Sequence, residues 1–168
     1  GPQIIVNPEA IGPLGEVFAS SGVLAGQLES FEERPQQIEM AERVSTAINE
    51  GRHLIVEAGT GVGKSLAYLV PAALRALSGG EPVIISTNTI NLQEQLISND
   101  LPAVESVLES MGIPKGALRI AQLKGRGNYL CYRRWLHAQD AEGLDNEQAR
   151  VLGKTLTWIQ ETEHGDRS

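Results

Sequence analysis

Three glycines in five positions, followed at once by lysine and serine, form the stretch of this chain best suited to chemistry: Glu57-Ala58-Gly59-Thr60-Gly61-Val62-Gly63-Lys64-Ser65. Gly59, Gly61 and Gly63 let a backbone turn tightly and aim its amides inward at phosphate oxygens. A helix opening at Lys64 adds free N–H groups and the positive end of its dipole. Lys64 then meets the β- and γ-phosphates as a point charge. Ser65 gives its hydroxyl to Mg²⁺, a hard cation that prefers oxygen ligands. The stretch has the Gly-Lys-Ser ending of a Walker A loop, with Ala58 where the strict pattern has its first glycine. Residues Ala58 to Ser65, Thr60 and Val62 included, are therefore expected to cradle a nucleoside triphosphate. The plainer alternative is a glycine-rich turn beside a surface lysine.

Hydrolysis needs more than a cradle. A second carboxylate must help hold Mg²⁺, and another group must position the attacking water. No apolar run after the loop ends in Asp or Asp-Glu: Val83 to Ser86 leads into Thr87-Asn88, and Ile120 leads to Leu123-Lys124. Half of a hydrolytic site is thus absent, and the expectation is a truncated piece of a longer protein. Gly1-Pro2 reads as a tag-removal scar or the edge of a longer reading frame.

The elements needed to position the loop follow from pattern. Ile38, Ala41, Val44 and Ile48 recur at helical spacing from Arg34, with Pro35 suited to the first turn and Gly51 to the stop. His53 to Glu57, Val83 to Ser86 and Leu118 to Ala121 read as short strands. Helices are expected from Lys64 to about Leu77, from Thr89 to Met111 with a break at Pro102, and from Asp145 to Glu163. Residues 3–33 read as an irregular lead-in. Strands alternating with helices predict an α/β fold, a P-loop parallel sheet flanked by helices and incomplete in this chain.

The chain has 168 residues, 41% of them hydrophobic, enough for one domain with a real core. No run approaches 18 apolar residues and no signal peptide opens the sequence, so no membrane span and a cytoplasmic location are expected. One cysteine excludes an internal disulfide framework. The net charge of −7 discourages a nucleic-acid reading on average, but the charge is zoned. Residues 1–33 hold five Glu and no Lys or Arg, whereas Lys115, Arg119, Lys124, Arg126, Arg133 and Arg134 crowd residues 112–137 without an acid.

Four blocks resemble the DinG-type helicases, relatives of the XPD helicases of superfamily two. Phe31 to Met40 resembles the adenine-reading block, Glu57 to Leu69 helicase motif I, and Ser86 to Leu96 motif Ia. Leu123 to Cys131 resembles the entry into an iron–sulfur domain. The resemblance spans residues 31–131. It implies a RecA-like first motor domain over 31–123, preceded by a lead-in over 1–30, and the start of an iron–sulfur insertion over 124–168. It implies an ATP-dependent helicase that moves along single-stranded DNA in repair or replication, with ATP and Mg as cofactors and a second motor domain elsewhere in its polypeptide. The lead-in also resembles family members with an upstream exonuclease domain.

Residue by residue, Gln37 is a candidate adenine reader, because an amide offers one donor and one acceptor. Arg34 orients that block. Ser86, Thr87, Asn88 and Thr89 suit contact with DNA phosphate and sugar; helix capping is the plain alternative. Lys124, Arg126 and Tyr129 combine charge and an aromatic face in the way single-stranded DNA is held. Against this stands a solvated basic helix with its aromatics packed inward. Cys131 resembles the first thiolate ligand of a 4Fe–4S cluster, which needs four, so the chain alone is not expected to hold one. Nor is it expected to unwind DNA. The other class of reading is a small kinase or a nucleotide-regulated binding module.

Overall fold

The computed structural model describes residues 14–27, 32–79, 81–141 and 143–166. Gly1-Pro2, the first part of the lead-in, and Phe31 lie outside the described residues. The chain divides into two compact units, Gly1–Ala121 and Gln122–Ser168.

In the first unit the lead-in is more ordered than its composition suggested. It forms two short helices, α1 (Leu14–Val17) and α2 (Val23–Gln27). Val17, Phe18 and Leu24 are buried in the core. The Glu33 carboxylate accepts the Ser20 N–H at 2.7 Å, and this bond holds its pKa below the usual carboxylate range.

Helix α3 (Pro35–Asn49) begins as the sequence predicts, with Pro35 in its first turn. It ends in a Schellman motif. Gly51 takes φ +63°, its N–H reaches Ile48 O at 3.3 Å, and the Arg52 N–H reaches Ala47 O at 2.9 Å. Helix α4 (Lys64–Gly79) starts directly after the glycine loop and runs through Pro71. Its Ala67, Leu69, Val70, Ala73 and Leu77 form the middle of the core, packed with Ala41 of α3. Burial of each large aliphatic side chain is worth roughly 1.5–3 kcal/mol, so the start of α4 rests on a firm base.

Helices α5 (Ile90–Gln95) and α6 (Leu101–Ser110) are joined by a π-helical turn, Leu96–Asp100. The expected break at Pro102 is absent. Proline lacks an N–H and crowds the carbonyl four residues back; the widened turn just before it accommodates both effects and the helical path continues. Val104, Val107 and Leu108 complete the core.

The second unit holds a 3₁₀ turn at Arg126–Asn128, α7 (Tyr132–Gln139) and α8 (Asn146–Glu161). Asp145 and Gln148 cap α8 reciprocally, at 2.7 and 3.2 Å.

The expected parallel sheet is not present, which corrects the α/β P-loop reading of the architecture. Among the described residues there is no strand ladder, and the one bridge pairs Tyr129 with Asp166. Residues 52–59, 81–87 and 119–125 run without regular structure. A strand exists only through its neighbours' hydrogen bonds, and these segments do not pair with one another. Their apolar side chains face out: Ile55 is 97% exposed and Ile84 89%. The described fold is helical, with the loop seated between α3 and α4.

Candidate nucleotide site

The loop is built by two left-handed glycines, Gly61 at φ +83° and Gly63 at φ +77°. Such angles cost side-chain-bearing residues energy that glycine avoids. They turn the chain from the segment before Ala58 into the first turn of α4. Four carbonyls of this turn accept bonds from basic or amide side chains, and Gly63 O also accepts the Ala67 N–H at 3.3 Å. The Lys64 ammonium donates to Ala58 O at 3.0 Å and Gly59 O at 2.7 Å. Arg34 Nη1 donates to Gly61 O at 2.6 Å, and Gln37 Nε2 to Gly63 O at 2.9 Å. Gln37 is buried, 4% exposed, although it sits on the first turn of α3.

The amides are arranged differently. Among the described residues, no backbone N–H from Gly59 to Ser65 makes a well-formed bond to a backbone carbonyl. Consecutive unpaired donors at the start of a helix form an anion-binding cradle. Lys64 adds a full positive charge beside them. Thr60 is exposed, and Val62 and Ser65 are partly so. The Tyr68 pKa is raised mainly by its own burial, an effect that the neighbouring Ser65 hydroxyl opposes and the Asp100 charge adds to. The residues present suit a triphosphate and one oxygen ligand for Mg²⁺. Among the described residues no group of three or more His, Cys, Asp or Glu comes together that could hold a metal ion.

The segment Ser86 to Thr89 divides its work. Thr89 Oγ1 accepts the Leu92 N–H at 3.2 Å and caps α5, while the Thr87 hydroxyl donates to Thr89 O at 3.2 Å. Ser86 and Asn88 remain exposed.

Sequence reasoning missed how the second unit uses its basic residues. Lys124 is buried, with its side chain 3% exposed and its ammonium 2.6 Å from Asp166. Its backbone N–H donates to the Tyr129 hydroxyl at 2.8 Å, and the Leu130 N–H reaches Gly165 O at 2.8 Å. Two of the three residues assigned to DNA here are thus drawn into the unit's own packing, and Arg126 alone stays exposed. Nothing local marks Asp166 as the partner. Lys124→Met leaves Asp166 without its closest cation and is expected to destabilise this unit by about 2–3 kcal/mol. Hydrogen exchange at the Leu130 amide checks this; unchanged protection would contradict it. Tyr132 stacks on Trp135 at 5.7 Å. Cys131 is exposed and precedes α7. One thiolate does not fit an iron–sulfur cluster, which takes four.

No helix among the described residues is long and apolar enough to cross a membrane. Residues 35–116 match the DEAD/DEAH box helicase family. The chain is 41% identical over 155 residues to the ATP-dependent DNA helicase YoaA of Haemophilus influenzae, covering 91% of this chain and 22% of that protein. It is 42% identical over 148 residues to the ATP-dependent helicase DinG of Mycobacterium tuberculosis, covering 80% and 22%. It is 38% identical over 148 residues to the 3'-5' exonuclease DinG of Bacillus subtilis, covering 85% and 15%. The chain therefore spans between 15% and 22% of the length of these relatives.

Proposed function

We propose, from the match of residues 35–116 to the DEAD/DEAH box helicase family, that this chain is the ATP-binding piece of an ATP-dependent DNA helicase. The observation that carries the reading is the run of amides without a backbone acceptor from Gly59 to Ser65 at the head of α4, beside the Lys64 ammonium. Lys64 exchanges its carbonyl partners for the β- and γ-phosphate oxygens, gaining a charged acceptor. Ser65 would offer its hydroxyl oxygen to Mg²⁺, a hard cation. Gln37 and Arg34 stand at the edge of the same loop, where the adenine end of the nucleotide would lie.

In the full-length protein, ATP binding draws this piece toward a second motor domain and hydrolysis releases it, so that the pair steps along single-stranded DNA. Ser86, Thr87 and Asn88 offer polar groups for the DNA backbone, and so, separately, does Arg126. Residues 31–123 open the motor domain, and 124–168 begin an insertion in which Cys131 supplies one thiolate of a 4Fe–4S cluster. The protein works in the cytoplasm, in repair or replication. The test is the ATPase of the full-length protein with and without single-stranded DNA. Stimulation by DNA is expected; stimulation by a small metabolite with indifference to DNA would overturn the reading.

A further inference from the structure

We propose that the π-helical turn Leu96–Asp100 is a register joint, held open by Pro102, that sets how α5 presents the Ser86–Thr89 segment to a polyanionic backbone. The ligand rests on the DNA reading above; the joint stands apart from it. In an α-helix each N–H bonds the carbonyl four residues back. Here the Leu101 N–H reaches five back, to Leu96 O. The Gln95 side chain spans the same five residues, with Nε2 3.5 Å from Asp100 Oδ2. Pro102 accounts for the wider turn. In an unbroken helix its ring would crowd Ser98 O, and that carbonyl would find no N–H at position 102. A π-helical turn takes one more residue and relieves the crowding. Each residue of an α-helix advances about 100° and 1.5 Å. The extra residue therefore turns α5 by about that angle from where a continuous helix of the same sequence would carry it.

The two sides of the joint are held unequally. On α6, Val104 and Val107 are fully buried and Leu108 nearly so. By contrast α5 has no buried residue, and its Leu92 is 38% exposed. Leu96, inside the joint, is buried in the same core as Leu69 and Val70 of α4, on which the turn packs. An arm with few buried contacts moves on a fixed base at little cost. That arm carries the Ser86–Thr89 segment. Thr89 caps α5 by accepting the Leu92 N–H at 3.2 Å, and the Thr87 hydroxyl donates to Thr89 O at 3.2 Å. A rotation of α5 therefore swings Thr87, and the exposed Ser86 and Asn88 on either side of it, as one piece. Single π-helical turns within α-helices are rare and gather at functional sites; this one stands between the core and the segment.

The experiment compares this chain with Pro102→Ala, and with Pro102→Ala from which the exposed Asn99 is also removed. Alanine is the better helix former, so the variant is expected to fold. It restores an N–H and frees Ser98 O; the turn closes to an α-helix and α5 rotates. Removing Asn99 takes out the extra residue, so the helix stays continuous while α5 returns to its present orientation. Amide resonances and hydrogen exchange read the joint with no ligand added. Pro102→Ala is expected to give a slowly exchanging amide at position 102 and to shift the Ser86, Thr87 and Asn88 amides, with those of Val104 and Val107 in place. The deletion brings the segment's resonances back. Anisotropy titration with oligothymidylate reads the ligand. Pro102→Ala is expected to bind about tenfold more weakly, the loss of one or two backbone contacts, and the deletion to recover affinity. Segment amides that stay in place in Pro102→Ala, or that the deletion fails to restore, would overturn the joint. Wild-type chain that ignores the oligonucleotide while the amides respond as expected would instead overturn the DNA reading and the choice of ligand, with the joint upheld.

Discussion

Lys64→Ala in the full-length protein is expected to lower ATP turnover by roughly 10²-fold or more, the scale of removing a main electrostatic contact to a transferring phosphoryl group. In this chain the same substitution weakens ATP binding sharply while hardly moving the melting temperature. The contrast follows from where the ammonium sits. Its acceptors, Ala58 O and Gly59 O, lie in a part-exposed loop that water can satisfy. Their loss costs at most about 1 kcal/mol of stability. Among the described residues no other basic side chain is bonded on that side of the loop to replace the phosphate contact: Arg34 is committed to Gly61 O. Nucleotide titration beside thermal unfolding separates the two effects. Turnover retained by Lys64→Ala would exclude the proposed role.

Gly63→Ala carries the largest expected structural penalty. At φ +77° any side chain is strained. A methyl there would stand 3.0 Å from Gln37 Cδ and closer still to its Nε2. Gln37 has little room to yield, since it is buried, and yielding breaks its bond to Gly63 O. Strain and clash together are expected to cost about 2–4 kcal/mol. Two neighbours calibrate the argument. Gly61→Ala shares the left-handed strain at φ +83° but meets open space, so about 1–2 kcal/mol is expected. Gly59→Ala has neither problem and is expected to be nearly neutral. Chemical denaturation of the three variants should rank them Gly63, Gly61, Gly59. A Gly63 variant as stable as Gly59→Ala would contradict the packing described here.

What was legible in the sequence was local. A helix satisfies its own backbone within four residues, so Pro35, Gly51 and the apolar spacing between them located α3, and the Gly-Lys-Ser ending located the head of α4. The phosphate loop could be read because its residue types answer to one chemistry. Strands are different. Ile55 and Ile84 sit in runs with high strand propensity, yet propensity describes a fit to neighbours, and among the described residues these runs pair with no other. Periodicity supplied the segments and not their pairing. The ion pair of Lys124 was not legible, for a related reason. A basic residue among aromatics suits a nucleic-acid groove, but Asp166, at the far end of the second unit, pulls it inside. Gln37 stands between these cases: its importance was legible, whereas its bond to Gly63 O depends on how α3 packs against α4.

The central claim is that Gly59 to Ser65 form a working phosphate cradle in this chain. Backbone amide resonances, followed while Mg²⁺ and ATP are titrated in, test it most directly. Saturable one-to-one shifts confined first to the amides of Gly59 through Ser65, with Lys64→Ala abolishing them, are the expected result. A folded chain whose loop amides stay in place at saturating ATP would contradict the claim, and the glycine turn would then be structural only.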